Sequence, residues 1–213
     1  MSFQVNLTEE DTRETAGRLQ EPVIAPAQLV DVTSKEIGNT TTYDVVSMSF
    51  TMDDMDHKGQ QFEHLEWQPR KDEFTSQGDG DPEVVNQVKR LLHVLSRVTT
   101  VDKDKLRTLL NEAYTGSDLD EIWSDVRSLV DQLMERNRRT DLDLEIKVVG
   151  NTYKGGNLQF PRYPSFIRVV GEDPVLSFND YDKKQNAAYM ELQNEEPDTE
   201  EEFDELDDDD FDF

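Results

Sequence analysis

Residues 42–67 read TYDVVSMSFTMDDMDHKGQQFEHLEW. In 42–52, Val46, Met48, Phe50 and Met52 fall on one side of an extended chain, and Val45, Ser47, Ser49 and Thr51 fall on the other. Successive side chains of a strand point to opposite faces, so this alternation predicts a strand with one buried face. QQFEHLEW (60–67) predicts the returning partner strand, and DDMDHKG (53–59) predicts the hairpin turn, closed by Gly59. The turn looks like a calcium loop but fails as one. Lys58 stands where the fifth-position ligand is needed, and Leu65 stands where the bidentate Glu should be.

Upstream, 23–32 reads as a strand interrupted by Pro26, which cannot donate to a ladder, so it lies at an edge or begins after the proline. Residues 33–41 (TSKEIGNTT) are turn-rich, and 1–21 form a polar N-terminal arm in which Phe3, Val5 and Leu7 alternate. Downstream come Arg70, Lys71 and Phe74, then a flexible loop at 75–81. Helices are predicted over about 82–139. Asp81 is the N-cap of the first and Pro82 its first residue, and Val84, Val88, Leu91, Leu92, Leu95 and Val98 form its apolar stripe. A second runs from Asp102 to Tyr114. Ser117 caps a third, which buries Ile122, Val126, Leu129, Val130 and Leu133 and ends in ERNRR (135–139). Strand signals resume in LDLEIKVV (142–149) and continue in LQFPRYPSFIRVVG (158–171). VLSF (175–178) reads as the last strand.

The order is three strands, a helical block, then two or three strands. This predicts a mainly β domain over 22–188 with a helical insertion. An OB-fold-like five-stranded barrel has its helical element between strands three and four. An α+β sheet with a helical pair on one face is the alternative.

The chain has 213 residues and a net charge of −26. Its last stretch, ELQNEEPDTEEEFDELDDDDFDF (191–213), contains 14 Asp and Glu and no Lys or Arg. So little apolar surface cannot offset the entropy of ordering, and an acidic tail from 189 onward is expected to be disordered. Phe203, Phe211 and Phe213, set among Asp207, Asp208, Asp209, Asp210 and Asp212, suit a partner with a basic rim and an apolar pocket. Without Cys there is no disulfide framework and no thiolate metal site. No apolar run approaches the ~18–20 residues that span a bilayer. The N-terminus has no basic region leading into an apolar core, so the expectation is a soluble, cytoplasmic protein.

Catalytic signals are missing. There is no GxxxxGK[ST] loop and no GxGxxG fingerprint, and His57, His64 and His93 are not paired at metal-ligand spacing. His93 reads as a surface residue beside Lys89, Arg90 and Arg97. The expectation is a non-enzyme without cofactors. The strongest local constellation is 145–170, where Lys147, Lys154, Arg162 and Arg168 oppose only Glu145 and are interleaved with Tyr153, Phe160, Tyr163 and Phe166. Single-strand binding needs this mixture, with cations for phosphates and aromatic faces for bases. Phe160 and Phe166 can equally be core residues, which leaves Tyr153 and Tyr163 as the better stacking candidates. Lys89, Arg90 and Arg97 mark a second basic stretch within 86–107. An acidic total can therefore conceal a basic groove.

The strand pair at 42–67, the helical opening PEVVNQVKRLLHVL, the strand LDLEIKVV, the segment LQFPRYPSFI and the acidic tail ending in Phe together resemble bacteriophage single-stranded DNA-binding proteins of the OB-fold type. The resemblance implies binding of single-stranded DNA in replication, recombination or repair, in the host cytoplasm. It also implies a tail that contacts replication or recombination proteins and competes with DNA for the groove. Self-association stays open. The competing reading is an acidic interaction protein, an assembly chaperone or DNA mimic, that does not bind DNA.

Overall fold

The computed structural model describes residues 17–38, 41–74, 82–153, 156–162 and 165–194. Asp81, the N-terminal arm up to residue 16 and the tail from 195 onward lie outside them. The described residues form an antiparallel sheet of six strands with four α-helices. The strands are β1 (Val23–Ile37), β2 (Tyr43–Met52), β3 (Gln61–Trp67), β4 (Leu144–Asn151), β5 (Asn157–Gln159) and β6 (Ile167–Val169). The helices are α1 (Glu83–Val98), α2 (Lys103–Ala113), α3 (Leu119–Asn137) and α4 (Asp180–Asn194). The first three helices enter between β3 and β4, as the sequence predicts.

Sheet order is β3-β2-β1-β4-β5, with β6 also on β4. The hairpin at 42–67 forms, with Phe50 opposite Phe62 and Val45 opposite Trp67. The buried face of β2 is the one its alternation gives: Val46, Met48, Phe50 and Met52 are at most 1 % exposed. Each such side chain contributes about 1.5–3 kcal/mol on burial. Leu91, Val94, Leu95 and Val98 of α1 and Trp123, Val126 and Val130 of α3 join the same core. The indole N–H of Trp123 donates to the Asp44 carbonyl at 2.9 Å, and Arg127 pairs with the Asp44 carboxylate at 2.7 Å, fixing α3 at the start of β2.

Four expectations are corrected. First, β1 runs through Pro26 and through most of 33–41 as the central strand. Pro26 is tolerated because β1 changes partners there. Residues Val23–Ala27 pair with β4, and the ladder to β2 starts only at Ala27. The Pro26 carbonyl points to the β2 side, where it accepts from Asp53 N–H, so the missing N–H falls just past the end of that ladder. Second, the barrel does not close. No ladder joins the outer strands β3 and β5 among the described residues, and the sheet is open. β5 is three residues long and is followed at once by Phe160 and Pro161, and a proline cannot extend a ladder. Third, 175–178 is not a strand; the last one is β6. Fourth, α4 continues past residue 189 to Asn194 with Tyr189 buried, so the first residues of the presumed tail are helical and packed.

Candidate functional site

The unclosed side of the sheet is a cleft of about 1200 Å³. β3 forms one wall, and Gly156 to Phe160 with Arg162 form the other. Arg18–Gln20 run along its upper end, where Leu19 N–H donates to the Gln61 carbonyl at 2.9 Å. Tyr189 and Gln193 of α4 also line it. Behind it lies an aromatic cluster in which Phe160 stacks on Phe166 at 4.4 Å between centroids and meets Phe62 edge-on at 5.1 Å. Phe160 and Phe166 are therefore core residues and not stacking platforms.

A buried polar network spans the cleft's base. Arg90 donates from Nε and Nη2 to the two oxygens of Glu66 at 2.6 and 2.9 Å. Gln87 donates to the Trp67 carbonyl at 2.8 Å and accepts from the Tyr114 hydroxyl at 2.8 Å. His64 Nδ1 accepts from Phe160 N–H at 3.3 Å, which places the ring proton on Nε2, facing Glu66 Oε1 at 3.2 Å. Burial pushes the Glu66 carboxyl up, but the Arg90 charge and the hydrogen bonds from Arg90 and His64 outweigh it and hold the group at about 2.

The structure separates the nucleic-acid-binding candidates. Lys147 is 2 % exposed and paired with Asp182 at 3.1 Å, and it also donates to the Ser177 carbonyl. A buried cation already held by a buried carboxylate cannot track phosphates, so this residue is corrected from groove cation to structural ion pair. The same holds for Arg90, 8 % exposed and held by Glu66. Arg97 pairs with Asp173 at 3.1 Å, and Arg168 pairs with Glu145 at 2.6 Å across the β4–β6 register. Lys89 is half-buried on α1, away from the cleft. His93 is no surface residue either. It is 7 % exposed, packs edge-on against Phe166 at 4.8 Å and accepts from Ser165 N–H at 3.2 Å. Tyr153 is 70 % exposed, and Arg162 is exposed on the cleft wall. Lys154, Tyr163, Phe203, Asp207, Asp208, Asp209, Asp210, Phe211, Asp212 and Phe213 lie outside the described residues.

The cleft recruits residues that were not assigned a role. Trp67 and Tyr43 are each about half exposed and meet edge-on at 5.7 Å. Arg18, Arg70 and Lys71 join Arg162 around it. The signal for Trp67 was present in the pattern. Gln61, Glu63, Leu65 and Trp67 form the polar face of β3, where a large aromatic has no core to fill.

Charge pairing decides the character of the cleft. Five carboxylates line it, and four cations engage them: Arg127 holds Asp44, Lys35 holds Glu63, Arg70 holds Glu73, and Arg90 holds Glu66 with a longer contact to Glu83 at 3.4 Å, which leaves one negative charge uncompensated. Arg18, Lys71 and Arg162 form no ion pair among the described residues. Side chains close the His57 turn: Asp54 Oδ1 bonds His57 Nδ1 at 2.8 Å, and Glu21 bonds Nε2 at 2.9 Å. Among the described residues no group of three acidic or histidine side chains is placed to hold a metal, and no helix is long and apolar enough to cross a membrane. No protein-family model, curated protein or solved structure matches the chain.

Proposed function

We propose that the protein binds single-stranded DNA in the cleft between β3 and β5, in the replication, recombination or repair of phage DNA in the host cytoplasm. The observation that carries this reading is the charge pairing. Four internal cations offset all but one of the cleft's five carboxylates, while Arg18, Lys71 and Arg162, which form no ion pair among the described residues, keep their charge for a ligand. Counterions released from phosphates supply the affinity, and Trp67, Tyr43 and Tyr153 offer faces on which bases stack. The strand order, with helices entering between β3 and β4, supports the resemblance to OB-fold single-strand binders. In this reading the acidic segment beyond Asn194 competes for the same cations and recruits replication or recombination proteins through Phe211 and Phe213.

The fluorescence of Trp67 tests this directly. The chain has two tryptophans, and Trp123 is 1 % exposed, so quenching by an oligonucleotide reports Trp67. Titration with oligo(dT) at low salt is expected to quench it, and Trp67→Ala, which removes the reporter and is read by the anisotropy of a labelled oligo(dT), is expected to cost about 1–3 kcal/mol of affinity. Absence of binding at low salt, even after removal of 195–213, would overturn the reading.

A second reading is favoured by a different observation. Lys147, Arg90, Arg97 and Arg168 all serve carboxylates of the protein itself, as in a purely acidic interaction protein. Such a protein would capture a basic partner through its tail and leave Trp67 unquenched by DNA.

A further inference from the structure

α4 packs on β4, and its C-terminal half reaches the cleft through Tyr189 and Gln193. Of its side chains only Asp182 and Tyr189 are buried. Tyr189 lies directly on Gly150, where a Cβ would stand 2.3 Å from the Tyr189 Cβ, so glycine is required for the helix to dock. Gly150 N–H donates to Asn186 Oδ1 at 3.0 Å. At the other end of the β4–β5 turn, Gly156 has φ +85°, and a Cβ there would stand 3.0 Å from both Leu192 and Gln193. The Tyr189 hydroxyl donates to the Gln20 carbonyl at 3.3 Å. The Lys147–Asp182 pair anchors the helix start on β4. One helix thus grips both ends of the turn that carries Tyr153, together with the segment that carries Arg18.

We propose that α4 is the positioning element of the cleft: Asn186 and Tyr189 hold Gly150 and Gly156, and with them the Gly156–Phe160 wall, opposite β3. The proposal rests on the reading of the cleft as a single-strand site. A turn held in place before binding does not have to be ordered by the ligand, so the ordering cost is removed from the affinity. The contacts lie at the edge of the fold, away from the core shared by β2, α1 and α3, so their loss acts on the turn more than on global stability.

The test uses the full chain, oligo(dT) as probe, and amide hydrogen exchange of 150–156 without ligand. Asn186→Ala and Tyr189→Ala are expected to speed exchange at Tyr153 and Gly156. They should weaken oligo(dT) binding about tenfold while the quench of Trp67 at saturation stays unchanged. Tyr189→Phe keeps the ring on Gly150 and is expected to restore most of the affinity, and an unchanged urea midpoint for Asn186→Ala separates loss of the hold from general destabilisation. Two outcomes overturn the proposal: exchange at Tyr153 and Gly156 unchanged in both variants, or faster exchange with wild-type affinity. Should the unmodified chain bind no oligonucleotide, the single-strand reading fails by itself. The positional role of α4 is then judged on exchange alone, faster exchange supporting it and unchanged exchange overturning it.

Discussion

At the scale of residues, burial reverses what a count of charges implies. Lys147 sits in a segment that is locally basic, yet it satisfies Asp182 inside the protein. Arg90 likewise spends its guanidinium on Glu66. Both positions lie on elements with mixed faces, and the fraction of a long cation that reaches water is decided by what packs beside it. The buried titratable groups make a prediction about acid. Burial pushes His93 down, helped by the Arg97 charge, to about 3 from an ordinary value of 6.5. A depressed folded value means that the unfolded chain takes up the proton first. His93 therefore contributes stability that is complete above pH 6.5 and is lost as pH falls toward 3. Glu66, ordinarily near 4.5 and held at about 2, adds a second loss below pH 4.5. Urea unfolding between pH 6.5 and 4.5 is expected to show a slope of up to about 1.4 kcal/mol per pH unit from His93, and His93→Leu is expected to flatten it. His57 works in the opposite sense. Its hydrogen bond to Glu21, opposed by burial and aided by Asp54, raises it, so its contribution is present below pH 6.5 and lost as pH rises through its folded value.

At the scale of elements, local chemistry sets the helix starts more sharply than pattern alone suggests. Ser117 reads as the cap of α3, but the neighbouring Asp118 performs it, accepting from Asp120 N–H at 2.9 Å and Glu121 N–H at 3.2 Å. Asp102 caps α2 in the same way. Asp118→Ala is expected to lower stability by about 1 kcal/mol, read as a shift of the urea midpoint, whereas Ser117→Ala is expected to leave it nearly unchanged. α4 shows the converse case. Its sequence, DYDKKQNAAYMELQN, has almost no apolar stripe, and it packs through the buried Asp182–Lys147 pair and because Gly150 lets Tyr189 approach the β4 backbone. The periodicity of the helix does not carry that information; a buried lysine and a glycine elsewhere in the chain complete it.

At the scale of the whole molecule, the acid is unevenly placed. The first 190 residues hold 22 basic and 34 acidic side chains, and 14 further carboxylates follow. The boundary that matters is Asn194, where α4 ends beside the cleft. A truncation at 191 would cut into a packed helix, so removal of 195–213 is the cleaner change. If the acidic segment competes for the cleft's cations, its removal is expected to tighten oligo(dT) binding about tenfold or more at 50 mM salt. The gain should shrink at 200 mM as screening weakens the competition. Fluorescence titration at the two salt concentrations reads both effects, and equal affinities with and without the segment at low salt would show that it does not compete.

The sequence by itself determined the hairpin at 42–67, the three-helix insertion and its position between β3 and β4, and the acidic C-terminal stretch. Those features follow from periods of two and 3.6 and from charge composition, which are local properties. Only the tertiary structure decided which cations are exposed, that the sheet stays open between β3 and β5, and that Trp67 and Tyr43 face the opening beside Arg18 and Arg162. These depend on contacts between segments distant in the chain: Glu66 with Arg90, Lys147 with Asp182, and Gly150 with Tyr189. A charge or an aromatic ring has no fixed role until its neighbour in space is known, because desolvation and pairing determine whether it serves the fold or a ligand.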